Sequence, residues 1–170
     1  MRRKVAILGA TGAVGQRFVE LLQGHPWFQI EVLAASERSA GKKYREACNW
    51  MLDSEMPPEI GEMTVVLSDV KSVEKAGNVD FIFSALPGEI AGPTEGEFAA
   101  KYPVVSKAKA HRLEDDVPLL IPEVNPEHLA IIPTQKKKRH WEGFISTDPN
   151  CSTIQLAITL RPLMAFGLKK

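Results

Sequence analysis

Val5-Ala6-Ile7-Leu8-Gly9-Ala10-Thr11-Gly12-Ala13-Val14-Gly15 is the stretch that decides the fold. Four apolar residues run straight into glycine, which reads as a buried strand ending at a turn. From Ala13 to Leu22 the apolar positions Val14, Phe18, Leu21 and Leu22 recur at helical spacing, and Gly24 with Pro26 supplies the stop. Ile30-Glu31-Val32-Leu33-Ala34-Ala35 follows as a second strand. Strand, turn, helix and strand in that order require the two strands to lie parallel with a right-handed crossover.

Further along, Val65-Val66-Leu67, the run from Asp80 to Leu86 that stops at Pro87-Gly88, and Val104-Val105-Ser106 read as three more strands, with a helix over Ala91–Ala100. Five strands with helices between them predict an α/β fold with a doubly wound, mainly parallel sheet. Residues 40–63, punctuated by Gly41, Pro57-Pro58 and Gly61, read as loops around a short segment holding Cys48 and Trp50. Beyond Lys107, Pro118, Pro122, Pro126, Pro133 and Pro149 break the chain into extended pieces ending in a strand-like Gly143–Thr147. Pro149-Asn150-Cys151-Ser152 then opens a helix carrying Ile154, Leu156, Ala157, Ile158 and Leu160.

A chain of 170 residues holds one full domain and at most a piece of another. Lys+Arg and Asp+Glu are equal at 21 each, so whole-chain charge offers no grip on nucleic acid or an anionic membrane surface. Lys136-Lys137-Lys138-Arg139 is then best read as a solvated surface or a local phosphate contact rather than a nucleic-acid patch. No apolar run approaches the roughly 20 residues of a membrane span, and the mean hydropathy of -0.12 describes a soluble chain. Cys48 and Cys151 stand far apart, outside any disulfide or zinc spacing, and His25, His111, His128 and His140 show no metal pattern, so no metal and a reducing cytoplasmic setting are expected. Met1-Arg2-Arg3-Lys4 before an apolar run imitates a secretory leader, but Gly9, Gly12, Gly15 and the polar Gln16-Arg17 argue against one.

Three local patterns carry chemistry. Gly9, Gly12 and Gly15 lie between a strand and a helix, where the absence of side chains lets a pyrophosphate reach the N–H groups and positive dipole of the helix N-terminus. The spacing is G-x-x-G-x-x-G rather than the dinucleotide G-x-G-x-x-G, and a tight turn without ligand is the competing reading. At the end of the second strand, Ser36-Glu37-Arg38-Ser39 offers two hydroxyls and a guanidinium where a bound 2′-phosphate would sit, which favours NADP over NAD despite Glu37, with a solvated polar loop as the competing reading. Asn150-Cys151-Ser152 places a thiol at a helix start, where dipole and free N–H groups favour the nucleophilic thiolate and Asn150 can donate to an oxyanion. A small core cysteine is the competing reading at that position, and the local pattern alone leaves the two level.

Gly9-Ala-Thr-Gly-Ala-Val-Gly-Gln-Arg-Phe18, Leu33-Ala-Ala-Ser-Glu-Arg-Ser-Ala-Gly-Lys-Lys43, Phe83-Ser-Ala-Leu-Pro87, Val117-Pro-Leu-Leu-Ile-Pro-Glu-Val-Asn125 and Pro149-Asn-Cys-Ser-Thr-Ile154, in this order, resemble the aspartate-semialdehyde dehydrogenases of archaeal and fungal type. The resemblance implies a Rossmann-type NADP-binding domain over residues 1–149, with residues 150–170 as the first helix of a truncated α+β catalytic and dimerisation domain. It implies reversible conversion of L-4-aspartyl phosphate and NADPH to L-aspartate 4-semialdehyde, NADP and phosphate, on the route to lysine, methionine and threonine, in a homodimer or homotetramer. By the same resemblance Cys151 forms the thioacyl intermediate and Asn150 assists at the carbonyl oxygen. Gly9, Thr11, Gly12, Ala13 and Val14 hold the pyrophosphate, and Ser36, Arg38 and Ser39 the 2′-phosphate. Ser84, Leu86 and Pro87 lie along the cofactor, and Arg112 meets the phosphate of substrate or product.

The chain departs from the family pattern in two segments. Ser106-Lys107-Ala108-Lys109 stands where the family usually reads Ser-Asn-Ala-Ser, and Asp148 puts a carboxylate three residues before the thiol. Such a charge, if close, opposes the thiolate. The family's acid/base histidine and the arginine for the substrate carboxylate are expected beyond residue 170, in a subunit about twice this long. Malonyl-CoA reductase, which resembles the same family, and a non-catalytic nucleotide-binding module are the alternative functions.

Overall fold

The strands β1 (Arg3–Leu8), β2 (Phe28–Ala35), β3 (Val66–Leu67), β4 (Phe81–Ser84), β5 (Pro103–Ser106) and β6 (Phe144–Thr147) form one sheet in the order β3-β2-β1-β4-β5-β6. Every pairing is parallel. This is a computed structural model, and it describes residues 1–167. The strand-like piece at 143–147 therefore joins the sheet as a sixth strand, one more than the five read before Lys107. Chain order reverses between β1 and β4, and in such sheets the crevice at the C-terminal ends of those two strands is the binding position.

Burial on both faces explains the unbroken apolar runs of the central strands. One face packs Ala6, Leu8, Val32, Ile82, Val104 and Ile145 under α4 (Val70–Ala76) and α5 (Gly88–Ala99). The other packs Val5, Ile7, Leu33 and Val65 against Val19 and Leu22 from α1 (Ala13–Leu21) and its cap, and against Tyr44 and Ile60. The buried residues of α1 are Gly15, Gln16 and Val19; of the apolar stripe, Phe18 and the cap residue Leu22 pack inward whereas Val14 and Leu21 are exposed, so the inward face overlaps only half of the face the apolar spacing marks. The reason is steric. A Cβ at Gly15 would lie 2.2 Å from the carbonyl oxygen of Gly9, which fixes the face of the helix that can approach the strand.

Residues 40–63 are not purely loop, since they contain the single-turn helices α2 (Tyr44–Ala47) and α3 (Pro58–Gly61). The region after Lys107 is likewise not all extended. A 3-10 turn over Pro126–Ile131 leads into α6 (Ile132–Arg139), whose last turn carries the basic run Lys136–Arg139, where cations complement the helix dipole. Gln135, fully buried on α6, pairs with the backbone N–H and carbonyl of Ile145 on the edge strand β6 and with the Asp116 carbonyl. The helix α7 (Cys151–Leu160) follows β6 and buries none of its residues, leaving Leu156, Ile158 and Leu160 exposed. No described helix is long and apolar enough to cross a membrane.

Candidate active site

Gly9 closes β1 with φ +70°, a conformation that glycine adopts without strain, and a Cβ there would meet the Ala85 carbonyl oxygen at 2.6 Å. Gly12 is the N-cap of α1, with no side chain over the helix N-terminus. A Cβ at Gly12 would touch only the Gly9 oxygen, at 3.5 Å, so the protein's own packing does not call for glycine there. A groove of about 220 Å³ runs past Gly9, Thr11, Gly12, Ser36, Leu86 and Pro87. Ser68 lines the same groove and carries a buried hydroxyl with no partner among the described residues. Bare glycine backbone at a helix N-terminus together with an unpartnered hydroxyl fits a dinucleotide pyrophosphate and ribose. Of the other candidates on this loop, Ala13 and Val14 face solvent.

Three residues that the sequence reading did not assign hold this loop from beneath. Gln16, with no exposed surface, donates from Nε2 to the carbonyls of Thr11 (3.1 Å) and Asn49 (3.0 Å) and accepts from the Met51 N–H. The Tyr44 hydroxyl donates to the Ala10 carbonyl at 2.8 Å, and burial keeps that phenol neutral. Cys48 lies under Thr11 with its thiol pKa raised by burial, the opposite of a nucleophile's setting. In sequence Gln16 lies opposite the apolar stripe of α1, so no sequence pattern marked it as buried. At the end of β2, Ser36 and Arg38 are exposed, while Ser39 is only 4% exposed and closes the turn through its N–H on the Ser36 carbonyl.

Across the C-terminal edge, Ser84, Ser106 and Thr147 pair in one register row on β4, β5 and β6. At about 4.8 Å between neighbouring strands the row spans roughly 10 Å. Leu86 and Pro87 follow one end of it, and Asp148, Asn150 and Cys151 the other. Between them runs the loop from Lys107 to Arg112. Arg112 donates from Nε to the Asp148 carbonyl at 2.8 Å and from Nη2 to the Lys107 carbonyl at 3.0 Å, and Lys107 Nζ pairs with the Asp148 carboxylate. Two of the departures from the family pattern, Lys107 and Asp148, thus pair with each other. Asn150 caps α7 by accepting the Thr153 N–H on Oδ1 at 2.8 Å, which leaves its side-chain amide N–H groups to donate elsewhere. Cys151, exposed, is the first residue of that helix.

Beneath the row lies a buried polar chain. Ser84 and Ser106 both donate to Oε1 of Glu95, at 2.6 and 2.7 Å, and Glu95 Oε2 stands 3.4 Å from His111 Nε2. Burial pushes the Glu95 carboxyl up, opposed by the two hydroxyls and by His111. His111 Nδ1 meets Glu114 at 2.7 Å, and Arg139 pairs with both Glu114 and Asp116. The Arg139 guanidinium holds the Asp116 carboxyl down to about 2.

Residues 4–132 match the family model described as semialdehyde dehydrogenase, NAD binding domain. The chain is 54% identical over 167 residues to the aspartate-semialdehyde dehydrogenase of Methanothermobacter thermautotrophicus, covering 98% of this chain and 47% of that protein. It is 43% identical over 166 residues to the malonyl CoA reductase (NADP) of Metallosphaera sedula, covering 96% and 45%. Among solved structures it resembles the aspartate semialdehyde dehydrogenase of Candida albicans determined with NADP, at 39% identity and a TM-score of 0.86 over 99% of this chain and 48% of the other. The chain spans about half the length of these relatives. With a parallel sheet in doubly wound order, a glycine loop at its switch point and a family match over most of its length, the chain belongs to the semialdehyde dehydrogenase family and carries its NAD-binding domain.

Proposed function

We propose that this chain is the NADP-binding and thiol-bearing half of an aspartate-semialdehyde dehydrogenase, with residues 1–149 binding the dinucleotide and residues 150–170 opening a catalytic and dimerisation domain. The observation that carries the reading is the register row Ser84, Ser106 and Thr147, whose two ends lead into the dinucleotide groove and into Cys151. Reductive chemistry on a thiol-bound acyl group requires such convergence.

In this reading the Cys151 thiolate attacks the carbonyl carbon of L-4-aspartyl phosphate, the C–O bond to phosphate breaks, and a thioester to Sγ remains. Asn150, its Oδ1 held by the cap, donates from its side-chain amide to the oxyanion formed in that attack. The departing phosphate is met by Arg112, on the Nη1 not used in its two backbone bonds, and by the helix N-terminus. When bound, NADPH supplies the hydride that converts the thioester to L-aspartate 4-semialdehyde and releases the thiolate. Gly9 and Thr11 to Val14 hold its pyrophosphate, and Leu86 and Pro87 orient its nicotinamide end. Ser36 and Arg38 hold its 2′-phosphate, with Ser39 shaping the turn beneath them. The protein works in the cytoplasm as a homodimer or homotetramer on small acyl phosphates and phosphate, in the synthesis of lysine, methionine and threonine.

The test is phosphate-dependent reduction of NADP by L-aspartate 4-semialdehyde, measured on this chain and on the longest polypeptide made from its gene, each beside Cys151→Ala. Turnover that vanishes in Cys151→Ala supports the reading. NADP binding without turnover in any form leaves a nucleotide-binding module instead. Malonyl-CoA as a second acyl donor, also reduced through the thiol, tests the activity named for the Metallosphaera relative.

A further inference from the structure

Glu95 has no exposed surface and no task in the reaction just described. It lies on α5 close to Ala91, Phe98 and Ala99 in sequence, all of them in the apolar core. An apolar side chain of similar volume would pack there without the desolvation cost of a carboxyl. What a carboxyl adds is a joint. Oε1 accepts from Ser84 at the end of β4 and from Ser106 at the end of β5, while Oε2 faces His111 Nε2 at 3.4 Å. Neither Oε2 nor that imidazole nitrogen has a hydrogen-bond partner among the described residues, so each is the other's available partner.

From this joint the contacts continue without a gap to the thiol's own turn. The Ser106 hydroxyl accepts from the Ala108 N–H at 3.0 Å, and the Lys107 N–H donates to the Ser84 carbonyl at 2.9 Å. The Lys107 carbonyl in turn accepts from Arg112, whose Nε donates to the Asp148 carbonyl three residues before Cys151. On the far side, Glu114 holds His111 Nδ1 and is itself paired with Arg139 on α6. We propose that Glu95 is a positioning residue: through Ser84, Ser106 and His111 it locks the loop from Lys107 to Arg112 over the sheet edge and so sets Arg112 and the Cys151 turn against the dinucleotide groove. The inference rests on the reading that Arg112 and Cys151 work at this edge, but the lock itself is testable apart from turnover.

Two substitutions separate joint from filler. Glu95→Gln keeps an oxygen for both serines and offers an N–H to His111 Nε2, whereas Glu95→Leu fills the volume and breaks every link. In this chain, Glu95→Leu is expected to speed hydrogen exchange of the Ala108 amide by about tenfold or more, the scale of one lost buried hydrogen bond, and to shift the Arg112 Nε–H resonance. Glu95→Gln restores both signals. In whichever form turns over, Glu95→Leu raises the phosphate KM by about tenfold and leaves the NADP KM within about twofold, as the loss of a placed phosphate contact predicts. Should Glu95→Leu fail to fold, Ser106→Ala, which removes the hydroxyl between Glu95 and Ala108, is expected to give the same exchange change. Unchanged Ala108 and Arg112 signals in folded Glu95→Leu or Ser106→Ala, or Glu95→Gln behaving like Glu95→Leu, overturns the proposal. If the two signals respond as expected but no form turns over, the lock stands and the catalytic reading falls.

Discussion

A Cβ on Gly15 would stand 2.2 Å from the carbonyl oxygen of Gly9, whereas one on Gly12 would meet the same oxygen at 3.5 Å. The outer glycines of the loop are therefore demanded by the protein, and the central one, in the proposed reading, by the dinucleotide above it. Gly15→Ala is expected to push α1 off the sheet and to cost about 3 kcal/mol or more in urea unfolding, since backbone on both sides cannot give. Gly12→Ala is expected to cost about 1 kcal/mol or less, the usual change at an N-cap, while weakening NADP binding at least about tenfold by calorimetry. Equal losses of stability in the two variants would contradict this division.

Arg38 is exposed in the turn after β2, two residues beyond Ser36, which lines the groove. A charge-assisted bond to a 2′-phosphate is worth about 1.5–3 kcal/mol, so Arg38→Ala should weaken NADP binding by about tenfold to a hundredfold. NAD, which has no such phosphate, should bind within about twofold of the parent chain. Parallel loss for both dinucleotides would place the guanidinium elsewhere.

Asp116 is 4% exposed, and Arg139 lowers its carboxyl from an ordinary 3.8 to about 2. Because the folded value lies below the unfolded one, this stabilisation is complete above pH 3.8 and is lost as the pH falls toward 2. Its size is on the order of 2 kcal/mol. Unfolding measured from neutrality downward should show that loss in the parent chain. Arg139→Ala should be less stable at neutral pH by about 3 kcal/mol and should lack the window, and adding Asp116→Asn should recover part of the deficit.

The strand, glycine loop, helix and strand at the N-terminus were legible because each is a local pattern. So was the position of the thiol, since Asn150 before Cys151 is an N-cap signal independent of tertiary contacts. What escaped depends on partners distant in sequence. The turns α2 and α3 are one turn each and are held by bonds such as Tyr44 to Ala10, which no periodicity reveals. Pro133 reads as a break, yet it sits in the first turn of α6, where its missing N–H costs nothing. Glu95 and His111, 16 residues apart, gain meaning only when β4 and β5 end side by side.

The central claim is that the acyl group passes through Cys151 while the dinucleotide lies in the glycine groove. The most direct measurement is mass mapping of the thiols after the longest polypeptide made from this gene is mixed with L-aspartate 4-semialdehyde and NADP in the absence of phosphate. The account predicts an aspartyl thioester on the Cys151 peptide that requires NADP and disappears when phosphate is added, with Cys48 unmodified. Turnover with phosphate from a protein whose Cys151 never carries the acyl group, or whose Cys151→Ala form still turns over, would contradict it.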